Sequence, residues 1–194
     1  WEGTHKYIGG GEESFGWLGY DAVRDKCAPS AICLICEIAA YAKDQGISLY
    51  DYLLNIYKEF GFQRETTINV VRPGKAGAEE IQQMMANYRQ NPPKEIAGEK
   101  VIRIKDYKSL VEKDFVDGEW REQPITMALN ATSNVLQFFT DGGLKVSVRP
   151  SGTEPKIKFY FEIPADMPTT ADYKAATAAA EARVPAIKAS LGLE

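Results

Sequence analysis

The segment from Arg149 to Pro155, with the sequence Arg-Pro-Ser-Gly-Thr-Glu-Pro, combines residue types that suit the binding of a phosphate group. The guanidinium of Arg149 can donate two parallel hydrogen bonds to phosphate oxygens. Ser151 and Thr153 add hydroxyl donors, and Gly152 lets backbone N–H groups approach an anion closely. Prolines stiffen both ends of the segment, which reduces the entropy lost on binding. The segment predicts a phosphate-binding loop, and a Pro-Gly turn between solvated strands is the alternative that the residues alone leave open.

The runs on either side of this loop both predict half-buried strands. Apolar and polar residues alternate from Leu144 to Arg149 and again from Lys156 to Ile163, which is the period of a strand with one buried face. If the two strands pair as a hairpin, Arg149, Lys156 and Lys158 share the face opposite the apolar side chains. Residues 145 to 160 include four basic side chains and one acidic one, although the chain has a net charge of -4. The hairpin is therefore predicted to be a local positive site.

The loop resembles the phosphate-binding loop of the phosphohexomutases, the phosphoglucomutase and phosphomannomutase family. A second segment, Gly-Gly-Glu-Glu-Ser-Phe-Gly at residues 10–16, resembles the sugar-binding loop of the same family. Val-Arg-Asp-Lys follows at residues 23–26, where the family expects it. The resemblance covers nearly the whole chain, and it is strongest to the longer phosphoglucomutase and phosphopentomutase branch.

The resemblance implies which residues contact the substrate. The residues assigned to its phosphate are Arg149, Ser151, Gly152 and Thr153. Lys158 is a further candidate, and a solvated lysine on a strand is the alternative for it.

The sugar-binding loop has a chemistry of its own. The family comparison implies that Glu12 and Ser14 contact ring hydroxyls, because a carboxylate can accept hydrogen bonds from two neighbouring hydroxyls and a serine can add a third. Arg24 and Lys26 either face the cleft or pair with carboxylates. Glu12 and Glu13 are adjacent in a glycine-rich loop and seldom converge on one bond, which argues against a glycosidase.

The implied activity of the parent enzyme is the interconversion of hexose 1-phosphate and hexose 6-phosphate through a phosphoserine and a bisphosphate intermediate. Such an enzyme is an isomerase of the intramolecular phosphotransferase class, acting in carbohydrate metabolism. The family comparison implies that Mg²⁺ stabilises charge on the transferred group and that the enzyme is cytoplasmic. The family comparison also implies that the last domain binds the phosphate that does not react. This contact, remote from the reacting atoms, positions the sugar for attack.

Two family motifs do not occur in the sequence. There is no Ser-His-Asn-Pro type loop for the phosphoserine and no Asp-x-Asp-x-Asp loop for Mg²⁺, and the only histidine is His5. We therefore expect no catalytic residue and no metal ligand in this chain. The chain is predicted to be the C-terminal part of a larger enzyme, inactive alone, with the upstream domains and the hexose phosphate as its partners.

Composition excludes other classes of protein. The 194 residues, 44% of them hydrophobic, suffice for one or two folded domains. A pI of about 5.2 argues against nucleic acid or an anionic membrane as the main partner, and no apolar run approaches the roughly 20 residues of a membrane span. Cys27, Cys33 and Cys36 do not indicate a disulfide framework; they predict buried structural thiols, with metal or redox chemistry as the alternative.

The order of elements predicts an α+β fold. Helices are expected after Pro29, after Ser48, after Gly77 and from about Thr169, the last one kinked or split at Pro185. Strands are expected at 68–71, 101–104 and 135–139 and on both sides of the loop, whereas residues 106–133 read as irregular.

The family's last domain has a TATA-binding-protein-like topology, an antiparallel sheet with helices on one face, and the pattern agrees with it. The predicted domains are residues 1–61, a helical remnant of an α/β third domain that binds sugar, and residues 62–194, the phosphate-binding domain. Two other functions remain open: a stand-alone sugar-phosphate binding module, or a nucleic-acid-binding domain, which the acidic balance disfavours.

Overall fold

The computed structural model describes residues 4–12, 16–125 and 132–193. The chain divides into two compact units, the first ending at Glu59 and the second starting at Phe60.

The first unit consists of a short strand pair and two helices. Strands β1 (Gly10–Gly11) and β2 (Trp17–Leu18) are antiparallel. Helix α1 spans Ala28–Asp44 and helix α2 spans Leu49–Phe60. Ser48 caps α2 as predicted, since its Oγ accepts the Asp51 N–H at 3.1 Å while the Asp51 carboxylate accepts the Ser48 N–H at 3.1 Å.

The prediction of buried cysteines is wrong for α1. Cys33 and Cys36 are exposed and Cys27 is half-buried, all three as free thiols. The reason is that α1 buries only Ala42 among its residues, and even within the predicted apolar stripe Ile32 and Ile35 are exposed, at 64% and 55%.

The second unit is an antiparallel sheet with two long helices. Its strands follow the order β3-β10-β9-β8-β5-β6-β7, and β4 pairs with β5. The strands are β3 (Gln63–Val71), β4 (Glu95–Ile96), β5 (Glu99–Asp106), β6 (Val111–Val116), β7 (Glu119–Pro124), β8 (Leu136–Thr140), β9 (Lys145–Pro150) and β10 (Lys156–Pro164). The helices are α3 (Gly74–Gln90) and α4 (Tyr173–Ser190), the latter preceded by a 3₁₀ turn at Thr170–Asp172. The predicted α+β class is confirmed.

The core lies on one face of this sheet. Apolar side chains at alternate positions of β8, β9 and β10 are fully buried, as the period of two predicts. They form one cluster with Ile81 and Met85 of α3 and Ala180 and Ile187 of α4. Both helices therefore pack on the same face and leave the other face to polar side chains.

Two local predictions are corrected. Residues 106–133 were expected to be irregular, but β6 and β7 form a hairpin there, paired from Val111↔Pro124 to Val116↔Glu119. Its turn uses Asp117 and Gly118, both at positive φ, which suits a tight hairpin. Pro185 lies inside α4 without splitting it.

Candidate functional site: a basic hairpin and its loop

Strands β9 and β10 form the predicted hairpin around the Arg-Pro-Ser-Gly-Thr-Glu-Pro segment. Their antiparallel register places Val148 opposite Phe159 and Arg149 opposite Lys158. Val148 and Phe159 are fully buried, which fixes the register because a shift by one residue would turn these side chains to solvent. Burial of the apolar face thus brings the two cations together on the other face.

On the polar face of the sheet, the charges of residues paired across strands differ between the loop end and the rest of the face. Away from the loop, cations oppose carboxylates across strands: Lys145 Nζ lies 2.7 Å from Glu162 Oε1, and Lys105 Nζ lies 3.1 Å from Glu112 Oε2. At the loop, Arg149 opposes Lys158 instead, and the described part of the chain offers Arg149 no carboxylate partner. Like charges directly opposite each other are in general destabilising, so the pairing at this end of the hairpin differs from that on the rest of the polar face.

The loop itself is a closed turn held by its own backbone. The Ser151 N–H donates to the Lys156 carbonyl at 2.8 Å, and the Arg72 N–H donates to the Pro155 carbonyl at 2.9 Å. Ser151 Oγ accepts hydrogen bonds from the Thr153 N–H at 3.4 Å and from the Glu154 N–H at 3.2 Å. These bonds close the loop, and they already engage the N–H groups of Ser151, Thr153 and Glu154.

Gly152 is open on its outer side. A Cβ at this position would meet no atom within 4 Å, and its φ is not among the positive values that require glycine. Neither steric crowding nor a positive φ therefore requires a glycine at position 152.

An ion pair lies at the end of the loop. The Lys156 ammonium pairs with the Glu154 carboxylate, and the two side chains are 28% and 58% exposed. The hydrogen bond from Lys156, its charge and the charge of Lys158 lower the pKa of Glu154 below its ordinary value. Glu154 is therefore a carboxylate at neutral pH, beside the basic face.

The second candidate segment lies in the first unit and is organised around Glu12. The Glu12 N–H donates to the Gly16 carbonyl at 3.0 Å, which closes the loop between β1 and β2. Lys26 Nζ donates to Glu12 Oε1 at 2.8 Å, and a Cβ on Gly16 would lie within 2.8 Å of both side chains. Gly16 therefore makes room for the pair, and Lys26 fixes the direction of the Glu12 carboxylate.

The remaining predicted residues are placed as follows. Arg24 is exposed before α1, and Ser14 lies outside the described residues. The structure thus joins Arg149 with Lys158 and Glu12 with Lys26. Sequence reasoning missed the Glu154–Lys156 pair, and the only available signal was the acidic residue two positions before a basic one.

Two further features of the described residues bear on the site: the grouping of metal-ligating side chains and a cavity in the second unit. The described ranges hold no group of three or more His, Cys, Asp or Glu side chains that could bind a metal ion. No described helix is both long and apolar enough to cross a membrane. A cavity of about 280 Å³ in the second unit is lined by residues that include Tyr88, Arg89 and Lys113, and none of the predicted site residues lines it.

An antiparallel sheet with helices on one face defines an α+β domain with a basic hairpin loop, and comparison with known proteins gives its family. Residues 68–180 match the model of the phosphoglucomutase/phosphomannomutase C-terminal domain. The chain therefore belongs to the phosphoglucomutase/phosphomannomutase family, and it contains the C-terminal domain of that family.

Curated relatives agree with this assignment. The chain is 36% identical over 163 residues to a phosphoglucomutase of Staphylococcus haemolyticus, covering 84% of this chain and 29% of that protein. It is 38% identical over 153 residues to a phosphoglucomutase of Staphylococcus aureus, covering 78% and 26%. The chain thus spans less than a third of the length of these relatives.

The solved structure supports the fold. The chain aligns with the open form of parafusin from Paramecium, an exocytosis-sensitive phosphoprotein described as a phosphoglucomutase, with a TM-score of 0.60 at 23% identity. The alignment covers 96% of this chain and 30% of parafusin.

Proposed function

We propose that this chain is the substrate-binding region of a phosphosugar mutase that interconverts hexose 1-phosphate and hexose 6-phosphate through a phosphoserine and a bisphosphate intermediate. In this proposal the basic hairpin binds the phosphate that is not transferred. Glu12 and Ser14 contact sugar hydroxyls, and Lys26 orients Glu12. The names of the curated relatives support a mutase as the parent protein.

The observation that carries the proposal is the position of Arg149 opposite Lys158 beside the Ser-Gly-Thr segment. Two cations on one face provide the charge for a phosphate dianion, and the loop provides the hydroxyls of Ser151 and Thr153 and the N–H group of Gly152. A small set of strong contacts suits a ligand that must present either of its phosphates.

The role of this chain in catalysis is to position the substrate. A phosphate held at the loop fixes the sugar, so that binding energy remote from the reacting atoms lowers the barrier. The phosphoserine and Mg²⁺ of the parent are proposed to be supplied by other parts of the enzyme. The described residues do not fit a metal site, and no step proposed for this chain depends on one. The parent is proposed to act in the cytoplasm.

Phosphate binding is tested by an NMR titration of the chain with inorganic phosphate, glucose 1-phosphate and glucose 6-phosphate. We expect shifts centred on residues 149–154 and a loss of affinity of about 1.5–3 kcal/mol in Arg149→Ala, the scale of hydrogen bonds to charged groups. Arg121→Ala is the matched control, because Arg121 is exposed and lies on β7 at the far edge of the sheet. Loop shifts that persist unchanged in Arg149→Ala would contradict the proposed role.

A further inference from the structure

The loop that is proposed to bind a phosphate carries a negative charge of its own. Glu154 lies three residues after Ser151, and its N–H is hydrogen-bonded to Ser151 Oγ at 3.2 Å. Its carboxylate is 58% exposed and pairs with Lys156. A site built only for maximal affinity for an anion has no use for a carboxylate at this place, because like charges repel.

Lys156 is the cation that Glu154 engages. It lies two residues before Lys158 on β10, so the two ammonium groups and Arg149 are on the same face of the hairpin. On the neighbouring strand β3, Lys156 is paired with Val71, whose side chain is uncharged. The Glu154 carboxylate therefore neutralises one of the three cations that surround the loop.

We propose that Glu154 is an affinity-determining residue, which weakens the binding of a phosphate monoester dianion at this loop by holding the Lys156 ammonium in an ion pair. The inference rests on the proposed function of the loop. A mutase must release one phosphate of its bisphosphate intermediate and accept the other. A lower affinity of the loop for phosphate therefore favours turnover. The pKa of Glu154 lies below its ordinary value, so the carboxylate that pairs with Lys156 is charged at neutral pH.

The competing role for Glu154 is a structural one, in which the ion pair only stiffens the loop. The two roles predict opposite signs. Loss of a stiffening contact would loosen the loop and weaken phosphate binding, whereas loss of a neutralising charge strengthens it.

The test is the affinity of the chain for inorganic phosphate, measured by NMR titration at pH 7.5 in low salt and in 0.5 M NaCl. Glu154→Gln is expected to bind phosphate about two- to fivefold more tightly in low salt, the range of effects for exposed charges. High salt is expected to remove most of the difference, because exposed charges are then screened. Glu154→Asp keeps the charge and is expected to stay within about twofold of the unmodified chain.

Glu119→Gln is the matched control, since it changes the net charge equally from β7 at the opposite edge of the sheet. It is expected to leave the affinity unchanged. An affinity of Glu154→Gln that equals or falls below that of the unmodified chain overturns the inference and leaves phosphate binding intact. Absence of loop shifts in the unmodified chain at millimolar phosphate overturns the proposed function as well, so the two failures are distinguishable.

Discussion

Arg149 lies directly opposite Lys158 in the β9–β10 register, on the face of the sheet opposite the one that packs against α3 and α4. Another pair in the same two strands, Lys145 and Glu162, has complementary charges 2.7 Å apart. The hairpin therefore changes from an oppositely charged pair to a like-charged pair over four residues. Such an arrangement is expected where binding outweighs stability.

The first prediction follows from this contrast. Arg149→Gln is expected to leave the free energy of unfolding unchanged or to raise it by a few tenths of a kcal/mol, since cross-strand charge effects are of order 0.2–1 kcal/mol, while phosphate affinity falls. Lys145→Gln is expected to lower stability slightly with no effect on phosphate, because it removes the pair with Glu162. Urea midpoints combined with phosphate titrations measure both effects. A clear loss of stability in Arg149→Gln would show that Arg149 has a structural role.

The second prediction concerns two glycines with opposite surroundings. Gly152→Ala is expected to keep the urea midpoint of the unmodified chain, since its Cβ would meet nothing within 4 Å, but to weaken phosphate binding severalfold by holding the ligand off the backbone. Gly77→Ala is expected to destabilise by about 1–3 kcal/mol, because its Cβ would lie 2.0 Å from the Arg72 carbonyl oxygen. Equal phosphate affinity in Gly152→Ala would refute ligand access as the reason for that glycine.

Much of the second unit could be predicted because its strands bury one face. The alternation around the loop gave both β9 and β10 and the shared face of Arg149, Lys156 and Lys158. The β6–β7 hairpin could not be found in this way, since β7 has no buried residue. Its Asp117-Gly118 turn was the signal that should have indicated a hairpin.

The contacts of the candidate sites depend on register and loop geometry, which composition does not set. The pairing of Lys26 with Glu12 spans 14 residues and requires the turn before α1. The opposition of Arg149 and Lys158 requires the length of the loop between them. The burial of Cys33 and Cys36 depends on which elements pack against α1, and the apolar stripe of the helix does not determine which elements those are.

The third prediction concerns the turn at the other end of β9. The buried Thr140 hydroxyl donates to the Glu99 carboxylate and accepts the Leu144 N–H at 3.0 Å, while Arg183 of α4 binds the same carboxylate. Thr140→Val is expected to cost about 1–3 kcal/mol of unfolding free energy, because it leaves buried polar groups without partners. Thr67→Val, on the exposed face of β3, is expected to stay within about 0.5 kcal/mol. Similar urea midpoints for both variants would contradict the importance of this network.

The fourth prediction concerns alkaline pH. Burial raises the pKa of Tyr88 to about 12, above the value near 10 of an unfolded tyrosine. Between these values the unfolded chain releases a proton that the folded chain retains, so stability falls as the pH rises from about 10 to 12. Tyr88→Phe is expected to lower the urea midpoint at pH 8, since the hydroxyl donates to the Leu191 carbonyl at 2.6 Å. It is also expected to lose less stability than the unmodified chain between pH 9 and 11.5. Tyr20→Phe, which alters an exposed ring, serves as the control and should follow the unmodified chain at both pH values. Parallel pH profiles for Tyr88→Phe and the unmodified chain would show that Tyr88 ionises alike in the folded and unfolded states.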